Sequence, residues 1–276
     1  MPEPLLEPPL ESRPRLYHAL SSYYSMIARL ALIEGRVAYE STVIDIHLKM
    51  VQQQPDYVRL NPNMTVPTLV LPDRVLDQSR DIALYALGVG EATIDGDTKS
   101  WLDLHYGYPI EELTFGGLLA RNPMARIMVP RRLEQVRRRL LERAARNPDL
   151  AEVYEERAAV FAGRIRAFDP EAVARLSEGR RAEAVGFMDR LEQTLRDGRA
   201  VLVPPAYGAA DVVWTVFLAR MEFVGMGALL QKRPALARYW RTMQARPSFA
   251  PADIWTKLHL FRLIGGMLGA GQASAR

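Results

Sequence analysis

Polar and apolar positions along the first third of the chain predict a short series of strands and helices. Arg15 to His18 is a short strand candidate. From Ser21 to Glu34 the apolar residues Met26, Ile27, Leu30 and Ile33 recur at helical spacing, and Gly35 closes that helix. Tyr39 to Ile46 brings β-branched residues for a second strand, and Met50 to Leu60 predicts a short helix ending before Asn61-Pro62. Thr68 to Leu71, the turn Pro72-Asp73-Arg74 and Val75 to Asp77 read as a β-hairpin. Ser79 to Leu87 follows as a helix, with Asp77 or Ser79 as its cap. Beyond the stretch from Gly88 to Gly96 no strand pattern returns, and long helical segments alternate with Pro and Gly breaks.

The order β-α-β-α-β-β-α is that of a thioredoxin-like domain. The predicted fold is an α/β N-terminal thioredoxin-like domain with a mixed four-stranded sheet, followed by an all-α C-terminal helical bundle. We place a flexible arm at 1–14, the first domain at 15–90 and the helical domain at 91–276, the latter carrying a substrate pocket and a tail helix. Leu258 to Gly269 is apolar but interrupted by His259 and Arg262 and too short to span a bilayer, so it reads as a docked helix in preference to a membrane-surface anchor.

Composition narrows the chemistry. The net charge of +4 is small for 276 residues and both signs are interleaved, which speaks against a nucleic-acid partner. The arginine-rich run 131–146 contains Glu134 and Glu142 and no aromatic side chain. It reads as a solvated helix face before an anion-binding one, and it lacks the stacking surfaces of a single-strand binder. Cysteine is absent, so there is no disulfide framework, thiolate metal site or cysteine nucleophile, in keeping with a cytoplasmic location. The start of the chain has acids and prolines where a signal peptide needs a basic and then an apolar stretch. The four histidines are scattered without ligand spacing, and no metal is expected.

Three segments carry candidate chemistry. Val66-Pro67-Thr68 puts a proline just before a strand, the place where thioredoxin-like folds carry a cis proline that leaves the preceding residue's backbone free to pair with a cysteinyl peptide. Gln78-Ser79 opens a helix whose free N–H groups and dipole favour a carboxylate, although Ser79 is equally read as a plain cap. Ser21-Ser22-Tyr23-Tyr24-Ser25 opens the first helix, where hydroxyl and N–H donors can hold a thiolate and lower a thiol's pKa. The alternative there is a helix cap beside two surface tyrosines.

These segments, in this order, resemble the glutathione transferase superfamily from about Leu16 to about Phe249. More narrowly, Ser22 to Met26 with Arg29-Leu30-Ala31, Pro55 to Asn61, Val66 to Val70 and Asp211 to Arg220 are similar to bacterial tetrachlorohydroquinone dehalogenases and zeta-class maleylacetoacetate isomerases. The resemblance implies glutathione as co-substrate, a homodimer, and a small electrophile as second substrate. It implies Ser22 as the active-site serine with Tyr23 and Tyr24 beside it, Val66 and Pro67 at the cysteinyl backbone, and Gln78 and Ser79 at the γ-glutamyl group. By looser alignment it puts Lys49 near the glycyl carboxylate. Gln78 stands where an acid is more usual, which weakens the hold on the ligand's ammonium group. Asp211 matches the residue that caps the buried helix of the second domain.

Tyr24 occupies the position of the dehalogenase cysteine. Reductive dehalogenation through a protein–glutathione mixed disulfide is therefore not expected, while conjugation and isomerisation both stay open. For the electrophile pocket the candidates are His18, Trp101, His105, Tyr106 and Tyr108, although aromatics at helical spacing more often fill a core. Two readings compete: a glutathione-dependent transferase or isomerase, and a non-catalytic binding protein on the same fold.

Overall fold

The computed structural model describes residues 13–121 and 123–259. The arm up to residue 12 and the stretch from residue 260, where the sequence predicts the rest of a tail helix, lie outside the described residues. By internal contacts the chain divides into two units, Met1–Tyr108 together with Met188–Arg276, and Pro109–Phe187. This division groups the helices on either side of 109–187 with the sheet, whereas the sequence boundary was drawn at residue 90.

In the first unit the sheet is built from β1 (Arg15–His18), β2 (Glu40–Val43), β3 (Thr68–Val70) and β4 (Val75–Leu76), in the order β2-β1-β3-β4. β1 runs parallel to β2 and antiparallel to β3, with Tyr17 opposite Thr42 on one side and Thr68 on the other. β3 and β4 form the expected hairpin. The mixed four-stranded sheet is thus as the sequence predicts.

Helix α1 (Tyr23–Glu34) buries Met26, Ile27, Ala28, Leu30, Ala31 and Leu32, more than one amphipathic face, because it packs against two other helices. Gly35 ends it at the point of closest approach to α3 (Ser79–Ala86). A Cβ there would lie 1.8 Å from the carbonyl oxygen of Ala86, so the glycine is required by space rather than by its backbone angles.

The predicted helix 50–60 is broken. A tight turn at Val51–Gln53 precedes α2 (Pro55–Leu60), because Pro55 suits the first helical position while holding Gln54 extended. Ser79 is the first residue of α3 and not its cap. Gln78 takes the cap position without a side-chain capping bond.

The same unit continues through α4 (Gly96–Tyr106), opened by Asp95, whose carboxylate accepts the N–H of Thr98. It resumes after residue 188 with α9 (Ala209–Phe223), α10 (Gly227–Gln231) and α11 (Pro234–Gln244). Every residue of α9 from Ala209 to Met221 is buried. Asp211 makes that possible: its Oδ1 accepts Leu202 N–H at 2.8 Å and Tyr239 O–H at 2.7 Å, and its Oδ2 accepts Gly208 N–H at 3.1 Å.

The second unit consists of α5 (Ile110–Arg121), α6 (Pro123–Arg146), α7 (Ala151–Arg166) and the larger part of α8 (Pro170–Thr194). On α6, Glu134 holds Arg137 at 2.8 Å and Arg138 at 2.9 Å, the pairing of charges on successive turns read from the sequence. Among the described residues no helix is long and apolar enough to cross a membrane.

Candidate active site

The turn from β1 into α1 is fixed by hydrogen bonds among its own serines and backbone. Ser22 is extended, with φ −74° and ψ 125°, and caps α1: its Oγ accepts the N–H of Ser25 at 3.3 Å. Its own N–H donates to the carbonyl of Ala19 at 3.2 Å, and Ala19 N–H donates to Ser25 Oγ at 3.3 Å. The half-buried Ser22 hydroxyl therefore sits at a helix N-terminus, where unpaired N–H groups and the dipole favour negative charge.

Beneath this turn lies Arg29, fully inside the protein. Its guanidinium donates five hydrogen bonds: Nε to Ala252 O, Nη1 to His18 Nδ1 and Ala19 O, and Nη2 to Leu20 O and Asp253 O. Burial lowers its pKa to about 10, which still leaves it charged at neutral pH; Asp253 and Tyr39 work against that shift. His18 accepts at Nδ1, so its proton is on Nε2 and is donated to Ser41 Oγ at 2.8 Å. Burial, and then the neighbouring Arg29, push the His18 pKa well below that of a free imidazole. The sequence reading put His18 within reach of an electrophile. Instead it is 1% exposed with both nitrogens committed, and it braces the loop.

After β2, the carboxylate of Asp45 collects the N–H groups of His47, Leu48 and Lys49 at 2.7–2.9 Å. Burial alone would raise the Asp45 pKa, but these three donors lower it below the usual carboxylate value. The turn they fix brings His47 Nε2 to 3.1 Å from Ser21 Oγ and leaves the Lys49 side chain exposed. Sequence reading missed His47 because nothing local links it to a serine 26 positions earlier.

The Val66–Pro67 peptide is cis. Tyr57 and Asn61 brace the segment before it: Tyr57 O–H donates to Thr65 O at 2.6 Å, and Asn61 Nδ2 reaches Thr65 O at 3.1 Å and Thr68 Oγ1 at 2.8 Å. Tyr57 and Val66 share a small core with Tyr17, Ile44 and Val70.

The aromatic candidates separate into two groups. Trp101 packs edge-on against Trp214 with ring centres 5.4 Å apart, its carbonyl accepts the Trp214 indole N–H at 3.1 Å, and Tyr108 packs against Phe217. Both are buried beneath α9, so these two predicted pocket residues are core.

The second group adjoins the Ser22 turn. Tyr23 O–H bonds to His105 Nε2 at 2.7 Å with the rings stacked, and the Arg220 guanidinium lies 5.3 Å from the Tyr23 ring centre. Burial lowers the His105 pKa to about 3, so the imidazole is neutral. Its Nδ1 has no partner among the described residues. Tyr24 and Tyr106 are half-buried, and their rings lie 12° from parallel at 6.5 Å. Tyr106 Oη lies 3.0 Å from Ser79 Oγ, while Gln78 is exposed at the rim of the same helix start.

Comparison with known proteins places the chain in a family. The Glutathione S-transferase N-terminal domain family matches residues 21–86, the span holding the Ser22, Val66 and Ser79 segments. Tetrachloro-p-hydroquinone reductive dehalogenase of Sphingobium chlorophenolicum is 32% identical over 250 residues, covering 87% of this chain and 95% of that protein. The chain belongs to the glutathione S-transferase family.

Solved structures repeat the fold at low identity. The β-etherase LigF of Sphingobium sp. strain SYK-6 superposes with a TM-score of 0.63 at 19% identity, covering 87% of this chain and 98% of LigF. A Pseudomonas fluorescens glutathione transferase family member, solved with two glutathione bound, gives 0.59 at 17% identity over 89% of this chain and 94% of its own.

Proposed function

We propose that this protein is a glutathione-dependent transferase that activates the glutathione thiol for attack on a small unsaturated or aromatic electrophile. The observation that carries this reading is Ser22: a half-buried hydroxyl capping a helix N-terminus, in a turn fixed from below by a fully bonded Arg29. The Ser22 hydroxyl donates to the sulfur, the helix N-terminus favours the thiolate, and the thiol proton leaves to solvent. The Val66 backbone pairs with the cysteinyl residue, Gln78 and Ser79 take the γ-glutamyl end, and Lys49 with His47 faces the glycyl carboxylate. Tyr24 and Tyr106 line the electrophile side. Tyr23 is committed to His105, which favours Ser22 as the donor to sulfur.

With a halogenated aromatic, the thiolate forms a C–S bond and halide leaves, a displacement that needs no protein thiol. Zeta-type cis-trans isomerisation is the alternative use of the same activated thiol. We further propose that the protein acts as a cytoplasmic homodimer.

Calorimetric titration with reduced glutathione tests the site. Binding in the micromolar to low millimolar range that is lost in Ser79→Ala supports it. A protein that neither binds glutathione nor conjugates any of a panel of aromatic electrophiles would be a non-catalytic member of the fold.

A further inference from the structure

Ser79 does not stand alone at the start of α3. The first hydrogen bond of that helix runs from Ile82 N–H to Gln78 O, so the N–H groups of its opening turn face outward, and Tyr106 at the end of α4 places its phenol oxygen 3.0 Å from Ser79 Oγ. That oxygen is held in place by its ring, which lies nearly parallel to Tyr24 at 6.5 Å and edge-on to His105 at 4.7 Å. Two hydroxyls in mutual contact have two protons but use only one in their shared bond. An arriving carboxylate, with two oxygens, accepts both. Burial raises the Tyr106 pKa, more than the Ser79 hydrogen bond lowers it, so the phenol is a donor throughout the neutral range. Gln78 brings no negative charge of its own to this corner, and the paired hydroxyls suit the carboxylate of an amino-acid end.

We propose that Tyr106 is the second hydroxyl of the γ-glutamyl carboxylate site and sets the preference for thiols that carry this carboxylate. The inference rests on the glutathione reading above and extends it to a residue on α4. Because the same ring stacks on Tyr24, occupation of the carboxylate site also fixes one wall of the electrophile side before the second substrate arrives.

The test compares reduced glutathione with γ-aminobutyryl-cysteinyl-glycine, which is glutathione without that carboxylate, in the wild type, Tyr106→Phe and Ser79→Ala, by calorimetry with competition for the weaker ligand. The wild type should prefer glutathione, and Tyr106→Phe should shrink that preference about tenfold while the analogue's own affinity holds. A purely structural role for Tyr106 would weaken both ligands alike, and this or an unchanged preference overturns the inference. A preference lost in Ser79→Ala but intact in Tyr106→Phe overturns the inference and leaves the glutathione site standing. A wild type that binds neither ligand overturns both. The phenylalanine removes one oxygen and keeps the stacking; should it fold poorly, Tyr106→His, which retains a ring donor, must recover part of the preference or the inference falls.

Discussion

Arg29 and His18 meet at 3.1 Å, guanidinium Nη1 donating to imidazole Nδ1, and both are buried. Their contact sets the tautomer of the histidine, and the other arms of the arginine hold the carbonyls of Ala19 and Leu20 just ahead of Ser22. The geometry of the candidate site is therefore decided one layer below it.

Arg29→Lys keeps the charge but loses the planar fork. It leaves several buried carbonyls without donors, and we expect a loss of about 3 kcal/mol in unfolding free energy, read from urea denaturation. Below the unfolding transition the variant should also lose turnover, because Ala19 and Leu20 are released. A variant with wild-type stability would show that the five bonds contribute little.

Ser22→Ala removes both the proposed donor to sulfur and the α1 cap. The cap accounts for about 1 kcal/mol of stability. Turnover should fall at least tenfold while glutathione affinity changes little, and the pKa of bound glutathione, followed by thiolate absorbance, should rise. Equal turnover in the two proteins would transfer the role to another donor.

The buried histidines predict acid sensitivity at unusually high pH. The folded His105 pKa is depressed to about 3 and His18 also lies well below its free value, so the unfolded chain binds protons that the native chain does not. Stability is complete above a free histidine's pKa of about 6.5 and falls as pH drops, by up to about 1.4 kcal/mol per pH unit for each histidine. Urea titrations at pH 7 and pH 5 should show this loss. His105→Gln should reduce the slope by the share of one proton, and an unchanged slope would mean that His105 is protonated in the native state.

Asp211→Ala strips three donors of their buried acceptor and should cost about 3 kcal/mol. Asp211 makes none of its bonds to the Ser22 turn, so glutathione affinity in the remaining folded protein should be unaltered. A large affinity change at full stability would contradict a folding role.

Strand and helix order were readable because the elements of the sheet unit are short and several are bounded by Gly, Pro or Asn, as at Gly35, Asn61-Pro62 and Gly88. The Ser22, Val66 and Ser79 segments stood out as candidates because each lies where a strand and a helix or turn meet. Trp101 and Tyr108 were misplaced because helical spacing tells that aromatics share a side, not whether that side meets α9 or a ligand. His47 and Arg29 were missed for a different reason. One acquires its meaning from Asp45 and a distant serine, and the other sits within an apolar helix where a single charge gives no sign of five partners in the fold.

The two carbonyls that Arg29 receives from Ala252 and Asp253 come from more than two hundred positions further along the chain; the bond to Ala252 spans 223 residues. During synthesis the first half emerges with the loop ahead of Ser22 unfinished and a charged guanidinium awaiting acceptors that have not yet been translated. The nascent chain must shelter that charge in water or on a chaperone until Ala252 and Asp253 have been made.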